Sequence, residues 1–452
     1  MAHFAIVTPP LVGHLNALQA LGTVLVARGH RVTLVGPEDA RRWAWPAIGF
    51  EALGADTHPR GHVEAVSRRM GRLIGPLGLP SMIAGLAHDT AMVCRELPAA
   101  VERLGVDALI VDQLEPGGGV VAQGLGLPYM SVACALPIER DPDVPPVFVG
   151  WSYDPSSQGR WRNRGGHRVA DRMMRGQHRA LGAAARRFGL PPRERPSDWI
   201  SPVLSVAQTV PSLDFPRRDP PPNLHHVGPL RVPEDRAFPI ERDGRPLVFA
   251  SLGTLQGARH RLFKAIAGAA RDADVQLVMV HCGRLTAEQV AALPGLGEPG
   301  GPIVTDFVPQ RAVLEEADLA VLHGGLNTVL DALAHQVPMV VLPLAFEQPA
   351  IAARLERAGV ARRLSPWSTG WGGGRHDNIV TAMERILNDR SMPRRLLALR
   401  REIAAAGGAE RAADLAEAAL LGMEREGSNV TPFPPPAFGA NEPKRASKEG
   451  AA

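Results

Sequence analysis

The apolar and polar positions of this chain alternate between two kinds of run. Phe4–Val7 ("FAIV") is continuously apolar and predicts a strand, and Leu15–Ala27 carries apolar residues at helical spacing. The pattern then repeats. "RVTLVG" predicts a strand, "TAMVCRELPAAVERLG" a helix, and "VDALIVDQ" a strand that stays apolar until Asp112. "GGVVAQGLG" and "PYMSVACALP" add another helix and strand. Strands that are apolar on both faces and alternate with helices predict a parallel, doubly wound sheet.

From Leu213 to Pro246 the texture changes. "DFPRRDPPPNLHHVGPLRVPED" is dense in proline and predicts a linker. The alternation restarts with "PLVFASLG", "HRLFKAIAGAAR" and "VQLVMVHCG", and runs on through "LAVLHGG", "LNTVLDALAHQ" and "PMVVLPLA". We therefore expect an α/β chain of two Rossmann-like domains, residues 1–212 and 247–408, joined by the linker 213–246. Residues 409–426 predict a helix that packs back on the first domain. Residues 427–452 read as a disordered tail. Ligands bind at the carboxyl ends of parallel strands, so two such domains would share one cleft.

Composition narrows this only a little. A chain of 452 residues with 45 % hydrophobic and 21 % charged residues reads as soluble and two-domain. It has no apolar run of transmembrane length, and Pro9 and Pro10 break the first apolar run, so no signal peptide is expected. Cys94, Cys134 and Cys282 are far apart and odd in number, which points to a reducing cytoplasm. Net charge is +4, and nearly every basic residue is arginine. Many arginines fall between Arg160 and Arg187; they read either as a solvated helical face or as a patch for anionic lipid headgroups. Few aromatics interleave with them, so nucleic acid is not an expected partner.

Candidate chemistry sits at strand–helix turns. His323-Gly324-Gly325 follows the strand Leu319–Leu322 and opens a helix, where small residues, free N–H groups and the helix dipole favour phosphate. His323, Asn327 and Thr328 would add side-chain donors, and Asp331 stands where a carboxylate can accept from ribose hydroxyls. Ser251, Gly253 and Thr254 form a second such turn. His14 stands at the first strand–helix junction, where a helix N-terminus beginning at Leu15 is expected to lower its pKa and keep it neutral. Asp112 ends an apolar strand that reaches the same cleft; Asp107, at the other end of that strand, is expected to be structural. Asp141-Pro142-Asp143 and Asp272-Ala273-Asp274 lie in a proline-rich loop and a polar turn. Neither they nor His225-His226, expected in solvent, read as metal ligands, and no metal or cofactor is expected.

The segment Asp306–Pro349 resembles the donor-binding box of the UDP-dependent glycosyltransferases of the GT-B fold. The pieces that match are Phe307-Val308-Pro309-Gln310, His323 to Thr328, Asp331 and Glu347-Gln348-Pro349. "CRELPAA", "VDQLEP", "SVACALP", "DFPRR", "SLGTLQG", "HCGRLT" and "HGGLNTVLDAL" are more specifically similar to the bacterial zeaxanthin glucosyltransferases of carotenoid pathways. This resemblance spans roughly residues 1–425. It implies that Phe307 stacks on uracil and the Val308 backbone pairs with its edge. It implies ribose binding by Gln310 and Asp331, diphosphate binding by Ser251, His323, Asn327 and Thr328, and glucose binding by Glu347 and Gln348. Glu347 departs from the aspartate usual there. His14 would be the catalytic base and Asp112 its partner.

The implied reaction is inverting, metal-independent transfer of glucose from UDP-glucose to the hydroxyls of zeaxanthin, first one and then the other. The implied partners are UDP-glucose, a hydrophobic carotenoid acceptor, and the inner face of the cell membrane as a peripheral contact. The apolar segment Arg72–Ala87 would be core, a lid, part of an acceptor tunnel, or a contact with the bilayer that holds the acceptor. Alternative readings are another hydrophobic alcohol (a sterol, macrolide or flavonoid-like acceptor), a UDP-sugar epimerase, or a non-catalytic nucleotide-binding helper. The intact His14 and donor box argue against the last two. Ser368–Asn378 ("STGWGGGRHDN") reads as a loop or a lip over the cleft.

Overall fold

The computed structural model describes residues 1–72, 79–193, 195–234, 236–365 and 374–422. Residues 73–78 of the apolar 72–87 segment, residues 368–373 of the glycine-rich stretch, and the expected disordered tail lie outside these ranges.

The first half builds β1 (His3–Val7), α1 (Val12–Ala27), β2 (Arg31–Pro37), β3 (Gly49–Leu53), α2 (His62–Arg72), α3 (Leu79–Leu104) and β4 (Ala108–Asp112). It continues through α4 (Gly117–Leu125), β5 (Tyr129–Ala133), α5 (Ser157–Met173), α6 (Arg175–Arg187), β6 (Leu204–Ala207) and β7 (Leu224–His226). Seven strands pair in the order β3-β2-β1-β4-β5-β6-β7, every pair parallel. β1, β4 and β5 are buried along their whole length, as their unbroken apolar sequences require.

The second half builds β8 (Leu247–Ser251), α7 (Gly253–Gln256), α8 (His260–Asp272), β9 (Gln276–Val280), α9 (Ala287–Ala291), β10 (Ile303–Thr305) and α10 (Gln310–Glu316). Then come β11 (Leu319–Leu322), α11 (Leu326–Ala334), β12 (Met339–Val341), α12 (Gln348–Ala358), β13 (Ala361–Arg363), α13 (Gly374–Leu387), α14 (Met392–Ala405) and α15 (Gly408–Leu421). Six strands pair in parallel in the order β10-β9-β8-β11-β12-β13. Each sheet has its own apolar core. α15 buries Ala412, Ala413, Leu415, Ala416 and Leu420 in the core of the first sheet, against α1.

Three local expectations are corrected. α1 begins at Val12, not Leu15, so His14 lies in its first turn. Leu11 makes no side-chain cap, which leaves that start without a polar signal in the sequence. The proline-dense 213–246 segment is not linker throughout, because Leu224–His226 pairs with β6 as the edge strand. His225 and His226 are consequently half-buried rather than in solvent, and His226 Nδ1 lies 3.0 Å from Thr209 Oγ1.

Candidate active site

In each sheet the strand order reverses beside the first strand of that half: at β1/β4 in one and β8/β11 in the other. Such switch points open a crevice at the carboxyl ends of the strands. The register places Val7 beside Val111, so Thr8 and Asp112 emerge together, and Leu322 beside Ser251, so His323 emerges next to that serine. The turns of both halves line one cleft of about 1360 Å³. A typical single-ligand pocket is about 300–1,000 Å³, so this cleft has room for two substrates.

On the first wall His14 Nδ1 lies 2.7 Å from Asp112 Oδ2. Asp112 is fully buried and accepts two more hydrogen bonds, from Thr8 Oγ1 at 3.0 Å and the Leu114 N–H at 2.9 Å. Burial works to raise the Asp112 pKa, but the charge and hydrogen bond of His14 and the Leu114 N–H outweigh it and hold it below the usual value. His14 shows the mirror balance. Burial works to lower its pKa; the Asp112 carboxylate, their hydrogen bond and the nearby Glu347 raise it above the ordinary 6.5. The helix N-terminus therefore does not set the His14 pKa as expected from sequence; the buried carboxylate does. With Nδ1 donating to Asp112, Nε2 is the nitrogen left to accept a proton in the cleft that His14 lines.

On the second wall, His323 is a neutral imidazole, its pKa pushed down by burial to about 4. It fits only because its neighbours lack side chains. A Cβ on Gly253, which sits at φ +71°, would meet the ring at 2.7 Å, and one on Gly325 would meet it at 2.6 Å. Gly325 is the N-cap of α11, so the N–H groups of Leu326, Asn327 and Thr328 are the unpaired first-turn donors. The Asn327 and Thr328 side chains, expected to face a diphosphate, are engaged elsewhere. Asn327 Nδ2 donates across the cleft to the Gly13 carbonyl at 2.8 Å, and Thr328 Oγ1 donates to Gln310 Oε1 at 3.1 Å. For an anion both retain their backbone N–H, and Asn327 also retains the second hydrogen of Nδ2.

Gln310 Nε2 donates to Asp331 Oδ2 at 2.8 Å, which brings the two expected ribose contacts together. Phe307 is 72 % exposed on the loop after β10, an unusual position for a large aromatic and an open stacking platform. Val308 beside it packs half-buried against the core. Ser251 is buried and accepts from the Gly253 N–H at 3.3 Å; Thr254 lines the cleft beside them. Glu347 is the N-cap of α12 and lines the cleft, its pKa raised by burial. Phe346 before it adopts φ +57°, a conformation rare for a bulky residue and one that turns the chain sharply there. Gln348 also lines the cleft, but its side-chain carbonyl is used to accept from the Leu344 and Ala345 N–H groups at 2.8 and 2.9 Å.

One residue escaped the sequence reading. Arg231, in the proline-dense segment, donates from Nε to Asp331 Oδ1 at 3.0 Å, from Nη1 to Gln208 Oε1 at 3.1 Å and from Nη2 to the Asn327 carbonyl at 3.0 Å. Only its place in "GPLRVP", past the linker prolines, marked it, and nothing local assigns it a partner.

Among the described residues, two trios of ligand-type side chains have donor atoms within 4.8 Å of one another: His14, Asp112 and Cys134, and His58, His62 and Asp89. Burial pushes the Cys134 thiol well up, which keeps it protonated. Both His58 nitrogens are already matched, Nδ1 by Thr57 Oγ1 and Nε2 by Asp89 Oδ1, each at 2.9 Å. The two DxD sequences serve local structure. Asp141 accepts from the Asp143 and Asp219 N–H groups, and Asp272 pairs with His376. Asp107 accepts from the His3 N–H at 2.7 Å at the far end of β4.

Residues 213–401 match the UDP-glucoronosyl and UDP-glucosyl transferase family. Over 422 residues the chain is 40 % identical to a zeaxanthin glucosyltransferase of Pantoea ananas, covering 92 % of this chain and 96 % of that protein. It is 39 % identical to a zeaxanthin glucosyltransferase of Pseudescherichia vulneris, covering 94 % and 99 %. Among solved structures it is similar to the glycotransferase of kitacinnamycin, with TM-score 0.71 and 24 % identity over 93 % of this chain and 99 % of that one. The calicheamicin glycosyltransferase CalG4 superposes with TM-score 0.70 at 21 % identity, over 93 % and 98 %. These likenesses establish the GT-B fold.

Proposed function

The chain belongs to the UDP-glucoronosyl and UDP-glucosyl transferase family and is a glycosyltransferase, and on that premise we propose that it transfers glucose from UDP-glucose to the hydroxyl groups of zeaxanthin with inversion. The observation that carries the chemistry is the His14–Asp112 contact of 2.7 Å, with the other imidazole nitrogen available in a cleft that the donor turns also line. The observation that favours the acceptor is the near-full-length similarity to the two zeaxanthin glucosyltransferases.

An acceptor hydroxyl attacks the anomeric carbon from the face opposite the diphosphate. Its proton passes to His14 Nε2 as the new C–O bond forms, and the bond from the anomeric carbon to the phosphate oxygen breaks. Asp112 holds the imidazole in the tautomer that can accept and stabilises the imidazolium that results. The departing UDP takes the electron pair. Its charge falls among fixed donors, the first-turn N–H groups of α11 and the neutral His323, so the reading needs no metal. Phe307 stacks on uracil, the Val308 backbone meets its edge, and Gln310 and Asp331 take the ribose. Ser251, Gly253 and Thr254 flank the diphosphate, and Glu347 and Gln348 take glucose hydroxyls.

The acceptor lies along the first domain, whose share of the cleft includes Trp43, Trp45, Leu86, Ile138, Phe148 and Met174. Those side chains suit a long polyene better than a polar alcohol. A molecule with a hydroxyl at each end supports two successive transfers, giving mono- and then diglucoside. Peripheral contact with the inner face of the cell membrane belongs to the same reading, because such an acceptor resides in lipid.

The test is product mass after mixing purified protein, UDP-glucose and detergent-dispersed zeaxanthin, beside His14→Ala. Two added hexoses that vanish in the variant are expected. Transfer to a sterol, macrolide or flavonoid but not to zeaxanthin would keep the mechanism and overturn the acceptor.

A further inference from the structure

The outer face of α5 and α6 carries charge that the reaction does not use. Trp161, Arg164, Arg168 and Arg172 follow one another at steps of three, four and four residues, which puts them in one stripe along α5. Arg175 and Arg179 carry the same spacing on into α6. All six are exposed. Trp161 is 71 % exposed and Val169 beside the stripe 57 %, both far outside the usual place of large apolar side chains.

The arginines of the stripe differ from their neighbours. Off the stripe, Arg140 pairs with Asp171, Arg160 with Asp143, and Arg162 donates to the Ser152 carbonyl and lies over the Trp151 ring. On it, none of the Arg164, Arg168, Arg172, Arg175 and Arg179 side chains has an ion pair or hydrogen bond among the described residues. The opposite side of the same helices is a wall of the site: Ala170, Met174 and Gln177 line the cleft.

We propose that this face docks on an anionic lipid surface and so holds the acceptor wall of the cleft against the bilayer. The docking stands on charge and exposure; its service to acceptor loading rests on the hydrophobic acceptor proposed above. A helix is about 10–12 Å across, so lipid on the outer face lies about one helix diameter from the cleft. Cations with one tryptophan among them suit headgroups, where indole anchors at the interface and arginine meets phosphate. A nucleic-acid track would instead need successive aromatics for stacking. Because the apolar part is small, attachment is mainly electrostatic and salt-sensitive.

Flotation of the full chain with phosphatidylcholine vesicles, with and without phosphatidylglycerol, tests this. The protein is expected to float with the anionic vesicles alone and to be released at about 1 M salt, where screening is nearly complete. The triple variant R164E/R168E/R172E is expected to lose lipid-bound protein by at least about ten-fold, and W161A to lose less while keeping the salt dependence. None of these side chains lines the cleft, so UDP binding by calorimetry on the same preparations is expected to be unchanged. Equal flotation with neutral vesicles, undiminished flotation of the triple variant, or retention on duplex DNA without flotation would each overturn the proposal. Flotation without UDP binding by the wild type would instead leave the docking standing and defeat the donor reading.

Discussion

His14, the proposed base, illustrates how far one residue's behaviour is set by what it touches. A histidine in the first turn of a helix should feel the positive end of the dipole and titrate low. His14 titrates above 6.5 instead, because the buried Asp112 carboxylate is closer and carries a full charge. The consequence for activity has a definite sign. A base must be unprotonated, so kcat/KM should fall as pH drops through an apparent pKa above 6.5. Asp112→Asn removes the charge that raises His14. Its acid limb should move to lower pH, while the plateau drops about 10²–10⁴-fold, since the amide neither fixes the tautomer nor stabilises the imidazolium. A pH series of kcat/KM for both proteins checks this. An unmoved limb in the variant would remove His14 from the role of base.

At the scale of elements, the sequence made the two strand–helix turns legible because they combine an apolar strand, small residues and a periodic helix within a few positions. The same reading could not see β7 or β13, since "LHH" and "ARR" carry histidine and arginine where the equally short β12 carries an apolar "MVV". It could not see Arg231 either. That side chain gains its meaning only when the segment between the sheets lays it against α11, where it meets Asp331 and the Asn327 carbonyl while Asn327 reaches Gly13, the neighbour of His14. Arg231 thus holds the Asp331 carboxylate and the first turn of α11 in one geometry. Hydrogen bonds to charged groups are worth about 1.5–3 kcal/mol, so Arg231→Ala should weaken UDP binding about 10–100-fold. Arg231→Lys should recover only part of this, because an ammonium cannot span the same acceptors in a fixed fork. Calorimetric titration of UDP into the three proteins decides it; affinity equal to wild type in the alanine variant would make Arg231 a bystander.

At the scale of the whole molecule, the cleft depends on how the chain ties two sheets together, and it crosses between them twice. The return runs through Gly407 and Gly408, both at positive φ, after which α15 lies on the first sheet with Arg28 bound by Glu410, Asp414 and Glu417. A second tie comes from the loop between β6 and β7, where Asp214 is buried and accepts from Arg354 Nε of α12 at 2.7 Å, with Arg217 at 3.4 Å; the Arg354 guanidinium also lies 4.3 Å over the Phe215 ring. These two ties should respond very differently to loss of one carboxylate. Asp214→Ala leaves Arg354, 2 % exposed, as a buried charge without its main partner, which costs about 3–5 kcal/mol. Glu410 has a side chain 69 % exposed, and Arg28 keeps two other carboxylates, so Glu410→Ala should cost within about 1 kcal/mol. Urea denaturation of the two variants beside wild type measures the difference. Similar midpoints would mean that apolar packing alone holds the β6–β7 loop to α12. A selective loss in Asp214→Ala would locate much of the stability of this junction in a single buried pair, where the β6–β7 loop of the half carrying His14 meets α12 of the half carrying His323.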